Sequence, residues 1–110
     1  MSKYLRAIYE LTDGGESATK TSKVADKLDV SAPSASEAVS KLQEKGLVCK
    51  ADYKGFTLSP MGKNKGKKSL SLYNEVIDFL ERKGVEDSQK EANAMIDNMS
   101  ESTIKKIVGQ

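Results

Sequence analysis

Four residues near the middle of the chain, Ser31, Ser34, Ser36 and Glu37, bring three hydroxyls and a carboxylate together within two helical turns. They stand in "DVSAPSASEAVSKLQEKGLV" (Asp29 to Val48), where a helical apolar stripe is preceded by small polar side chains. Residues of these types do hydrogen-bond chemistry. Hydroxyls donate and accept, a carboxylate accepts, and the first amides of a helix have no partner within it. Proton-transfer chemistry has no comparable support. The 110 residues include no histidine, no glycine-rich phosphate loop, and no serine or cysteine beside an activating base. Acid pairs such as Glu86-Asp87 fall in a turn between helices, where capping and solubility explain them. The sequence therefore argues against an enzyme.

Positioning those four residues falls to the elements around them. Tyr4, Leu5, Ile8, Tyr9 and Leu11 recur at three-and-four spacing, which predicts a helix over Lys3–Leu11 that ends at Asp13-Gly14-Gly15. Thr21 or Ser22 offers an N-cap to a short helix that buries Val24, Ala25 and Leu28. Asp29-Val30-Ser31 leaves room only for a tight turn. Ser31 then caps a third helix, with Pro33 in its first turn, Ala35, Ala38, Val39 and Leu42 on its apolar face, and Gly46 as its stop. Leu47 to Lys50 and Phe56 to Leu58 read as the strands of a β-hairpin around Asp52-Tyr53-Lys54-Gly55. Ser59-Pro60 opens a long helix to about Lys83, and shorter helices follow over Ser88 to Asn98 and Ser102 to Val108. The expected fold is mainly α with a small β-hairpin.

Composition adds bounds. With 37% hydrophobic and 5% aromatic residues the chain buries a thin core, so burial against a second copy would help it. No apolar run approaches the roughly 20 residues that span a bilayer, and no signal pattern opens the chain, so a cytoplasmic protein without a membrane partner is expected. The lone Cys49, beside Leu47 and Val48, reads as a small core or strand residue. The net charge of +2 conceals a division: up to Lys68 there are thirteen Lys/Arg against eight Asp/Glu, and beyond it five against eight. A basic front suits a polyanion.

Helix, helix, tight turn, helix, hairpin is the order of a winged helix-turn-helix, in which the third helix enters the DNA major groove N-terminus first and the hairpin, or wing, reaches beside it. A groove about 12 Å wide excludes bulky side chains from that tip. Ser31, Ser34, Ser36 and Glu37 suit it. Taken alone, the serines would be a cap and solvent-facing filler; the preceding helix, the turn length and the hairpin decide against that.

Three segments make the pattern specific: "YLRAIYEL" (Tyr4 to Leu11), "SKVADKLDVSAPSASEAVSKLQEKGLV" (Ser22 to Val48) and "GFTLSPMGK" (Gly55 to Lys63). Together they resemble the diphtheria-toxin-repressor family of iron- and manganese-dependent transcriptional repressors, and the similarity extends more weakly through "EANAMIDNMS" (Glu91 to Ser100). The resemblance implies a winged helix-turn-helix domain over 1–62 followed by a helical dimerisation domain over 63–110. It implies base contacts from Pro33, Ser34 and Glu37, and phosphate contacts from Thr21, Lys23, Ser31, Ser36 and the wing's Lys54.

In that family a metal effector is held by His, Glu, Asp, Cys or Met from the first helix, the long helix and the helix after it. The matching positions here are Lys3, Arg6, Tyr73, Asn93, Ile96 and Asp97. Only Asp97 is a ligand type, and two cations stand where a cation would bind. The expectation is therefore a regulator with no cofactor, in which Lys3 or Arg6 bridges Asp97 in place of metal.

The leading function is thus a homodimeric, sequence-specific regulator of transcription that binds double-stranded DNA, most simply as a repressor, without divalent-metal activation. Leu72, Val76, Phe79, Leu80, Met95, Met99, Ile104 and Ile107 are its candidates for core and dimer contact. A different class is a winged-helix adaptor for acidic proteins, which large apolar residues on the outer face of the third helix would favour; serines occupy that face. A third is a regulator that senses a small molecule, or redox state through Cys49.

Overall fold

The structure, a computed structural model, describes residues 2–51 and 55–109. The elements run α1 (Ser2–Leu11), α2 (Thr21–Leu28), α3 (Ala32–Glu44), β1 (Val48–Lys50), β2 (Phe56–Leu58), α4 (Pro60–Arg82), α5 (Ser88–Asn98) and α6 (Glu101–Val108). The fold is mainly helical with one antiparallel hairpin, the winged helix-turn-helix order expected from the sequence. Two compact units form, Lys3–Lys68 and the residues from Ser69 onward, and the division falls inside α4.

The first unit is built on small apolar residues. Leu5 and Ile8 of α1, Val24 and Ala25 of α2, Ala35, Val39 and Leu42 of α3, and Val48, Phe56 and Leu58 of the hairpin share one core. Ala25 of α2 and Ala35 and Ala38 of α3 are all buried. Asp29, with φ 53° and ψ 50°, makes the left-handed turn between these helices, and Val30 N–H returns to Ala25 O at 3.0 Å.

Alpha-3 starts and stops where its sequence directs. Ser31 Oγ accepts from Ser34 N–H at 3.2 Å, and Pro33 lies in the first turn, where its missing N–H costs nothing. At the other end Gly46 takes φ 75°, with Gly46 N–H bonded to Gln43 O and Leu47 N–H to Leu42 O, the paired closure of a Schellman motif.

Val48 pairs with Leu58, Cys49 with Thr57 and Lys50 with Phe56. Cys49 is thus a strand residue, and it is exposed. A third segment joins the hairpin: Thr19 N–H bonds Phe56 O and Phe56 N–H bonds Thr19 O, both at 2.9 Å. That pairing changes how α2 begins. Lys20, in extended backbone, holds the N-cap position without a side-chain cap, so neither Thr21 nor Ser22 caps the helix as the sequence suggested. Thr19 fixes the approach, and the helix starts as soon as the chain leaves the bridge.

Ser59 caps α4 as expected, accepting from Gly62 N–H at 3.1 Å and donating to Gly46 O at 2.6 Å. In the second unit Leu72, Val76, Leu80, Ala92, Ile104 and Val108 make the core. Gly84, at φ 75°, ends α4. The last helix begins at Glu101 under a Ser100 cap, which accepts from Thr103 N–H at 3.2 Å; the sequence placed its start at Ser102. Ser100 takes extended backbone, φ −71° and ψ 151°, which places its hydroxyl against the Thr103 amide in the first turn. No helix among the described residues is long and apolar enough to cross a membrane.

Candidate nucleic-acid interface

The opening turn of α3 stands clear of the core. Ser31, Ala32, Pro33, Ser34, Ser36 and Glu37 are all exposed, while Ala35, Ala38, Val39 and Leu42 are buried. Packing anchors one face and leaves the other bare. Besides accepting from its amide, Ser31 Oγ donates to Ser34 Oγ at 2.8 Å, so the two hydroxyls are ordered as a pair. Glu37 is paired with Lys41, one turn further on, at 3.3 Å between Nζ and Oε1. The sequence reading passed over Lys41; the Glu-to-Lys spacing of four on a helix was the available signal.

At the start of α2, Thr21 is half-buried and Lys23 exposed. No side-chain hydrogen bond caps this helix; the Lys23 and Val24 N–H groups turn back to Lys20 O at 3.0 and 3.2 Å, and Lys23 adds a cation in the first turn. Lys27, toward the far end, pairs with Glu10 of α1 at 3.9 Å. Of the wing, Lys50 is exposed and Thr57 Oγ1 donates to Ser17 O at 2.8 Å, tying β2 to the loop before α2. Lys54 lies outside the described residues.

The first unit therefore collects Thr21, Lys23, Ser31, Pro33, Ser34, Ser36 and Glu37 on helix-turn-helix elements. The hydroxyl side chains and lysine of these elements are of types that can hydrogen-bond phosphates and base edges.

The positions matched to a metal effector have different chemistry. In the first unit Lys3 lies with its ammonium 5.6 Å from the Tyr4 ring centre, and Arg6 is buried at 4% exposure. In the second, Tyr73, Asn93 and Ile96 are half-buried and Asp97 is exposed. Among the described residues no group of three or more His, Cys, Asp or Glu is placed to hold a metal ion. The donor set does not fit a transition metal, which takes imidazole, thiolate or clustered carboxylate.

Comparison with known proteins supports the winged helix-turn-helix fold. The family described as iron dependent repressor, N-terminal DNA binding domain, matches residues 1–56. The solved structure of the manganese regulator SloR is 25% identical, with a TM-score of 0.80 over 98% of this chain and 53% of its own. The metal-dependent transcriptional regulator MtsR is 26% identical, with a TM-score of 0.78 over 99% of this chain and 54% of its own. IdeR of T. acidophilum, at 21% identity and a TM-score of 0.74 over 98% of this chain and 52% of its own, shares the fold. The chain spans about half the length of these structures. No curated protein sequence matches it.

Proposed function

The chain belongs to the iron-dependent repressor family, and on that premise we propose that it is a homodimeric, sequence-specific transcriptional repressor that binds duplex DNA without divalent-metal activation. One observation carries the DNA-binding part: the serine-bearing tip of α3 is exposed while Ala35 and Ala38, on the helix's other face, are buried. Pro33, Ser34 and Glu37 then face base edges, while Thr21, Lys23, Ser31, Ser36 and the wing's Lys54 face phosphates. The reading gives residues 1–62 to DNA binding and 63–110 to dimerisation. A two-fold dimer would set its recognition helices about one turn of DNA apart, on a pseudo-palindromic site.

Metal independence rests on ligand chemistry. Lys3, Arg6, Tyr73, Asn93 and Ile96 offer no anionic or imidazole donor at neutral pH, and Asp97 alone cannot hold Mn2+ or Fe2+. Selection of sites from random duplex DNA tests both parts, run once with chelator and once with added manganese or iron. The expected result is one palindromic motif recovered equally in both. A motif that emerges only with metal overturns the metal-independent reading, and the absence of any motif overturns sequence-specific binding.

A further inference from the structure

From the ion pair on α3 we infer that Glu37 and Lys41 act together as the specificity element of the recognition helix, selecting a half-site in which a cytosine and a guanine lie at the same or adjacent base pairs. This rests on the DNA-binding reading above and names what that surface prefers.

Both side chains are largely exposed, 71% for Glu37 and 56% for Lys41, so their pairing contributes little to folding. Ser34, Glu37 and Lys41 follow one another at spacings of three and four, so they share a face of α3. The opposite stripe, through Ala35, Ala38 and Leu42, is buried.

A lone carboxylate in the major groove faces two rows of phosphates, and repulsion opposes its entry. Lys41 removes that obstacle by neutralising it. The lysine engages Oε1 of Glu37, and a carboxylate has about four acceptor positions, so acceptors remain for a base. In the major groove the cytosine amino group is a donor that suits a carboxylate; adenine offers a donor too but sets its N7 acceptor beside it, and thymine and guanine present acceptors that repel the carboxylate. The ammonium has three donors, of which the pair uses one; the others match guanine O6 and N7. Acceptor and donor stand 3.3 Å apart, close to the ~3.4 Å step between stacked base pairs. The couple is therefore complementary to a cytosine beside a guanine, or to the two bases of one C·G pair.

In this account Lys41 both neutralises Glu37 and offers donors to guanine, so its role separates from that of a simple phosphate contact. The test repeats the random-duplex selection with full-length wild type, Glu37→Gln, Lys41→Gln and the double variant, and measures the affinity of each for the wild-type motif. Wild type is expected to require a cytosine at one half-site position. Glu37→Gln is expected to exchange it for adenine, which glutamine reads, with about ten- to hundred-fold loss on the original site. Lys41→Gln is expected to weaken binding more in the wild-type background than in the Glu37→Gln background, because only the former leaves a carboxylate unneutralised. A wild-type motif without cytosine preference, a Glu37→Gln motif identical to wild type, or equal costs of Lys41→Gln in both backgrounds each overturns the inference while leaving DNA binding intact. Failure of wild type to select any motif removes the underlying reading as well.

Discussion

Ser31 and Ser34 hold each other at the tip of α3: Ser31 Oγ accepts the Ser34 N–H at 3.2 Å and donates to Ser34 Oγ at 2.8 Å. One hydroxyl thus closes the helix and orients a neighbour aimed outward. Ser31→Ala removes an N-cap, with an expected cost of about 1 kcal/mol and a drop in melting temperature of about 3–6 °C. Ser31→Asp keeps a cap and recovers that stability, but at the proposed interface it would place a carboxylate against phosphates. Thermal unfolding and DNA titration on both variants should therefore diverge. Equal DNA affinity for wild type and the aspartate variant would place this tip away from DNA.

Gly62 and Gly84 separate two reasons for a glycine. A Cβ at Gly62 would collide with Leu47 O, a backbone atom that cannot step aside, whereas at Gly84 it would meet nothing within 4 Å and only the φ of 75° opposes it. Gly84→Ala should cost about 1–2 kcal/mol, the ordinary penalty of a left-handed alanine. Gly62→Ala should cost more, since α4 must shift off the hairpin. Chemical denaturation of the two variants checks the order.

In the second unit, Ile104 is 1% exposed and Met99 is 39% exposed. Ile104→Ala should destabilise the fold by about 2–5 kcal/mol. Met99→Ser should leave the helical circular dichroism unchanged. If the dimer covers the partly exposed apolar surface that includes Phe79, Met95 and Ile107, a Met95→Asp change should yield folded monomers by sedimentation. A Met95→Asp protein that remains dimeric would assign the interface elsewhere.

Lys23 supplies a further check on the phosphate contacts. Lys23→Ala should weaken binding uniformly across DNA sequences and reduce the slope of log affinity against log salt by about 1. Fluorescence anisotropy over a series of salt concentrations measures it. An unchanged slope means that Lys23 meets no phosphate.

Much of this architecture was written in local patterns. Apolar spacing marked every helix, Ser31 and Ser59 announced their caps, and Gly46 and Gly84 marked stops because only a residue without Cβ takes their φ cheaply. What local pattern could not show is non-local. The bridge between Thr19 and Phe56 joins residues far apart in sequence, and it is this bridge that gives α2 an uncapped start where a hydroxyl cap was expected. Periodicity likewise identifies apolar faces without naming what covers them. Leu72, Val76, Leu80 and Ile104 prove to be buried within the second unit, Phe79, Met95 and Ile107 are partly covered, and Met99 is exposed. At the candidate interface, exposure of the α3 tip was expected from its side chains, whereas the Glu37–Lys41 pair needed the helix to be built.

The bridge at Thr19 also bears on how copies of this protein avoid one another. A bare hairpin offers two open flanks on which a stray strand can zip, the usual seed of aggregation. Here the flank of β2 is closed at Phe56 by the chain's own Thr19, and Thr57 is drawn onto Ser17. The other flank, β1, is three residues long and ends in Lys50, so neighbouring molecules find neither length nor neutrality to build upon.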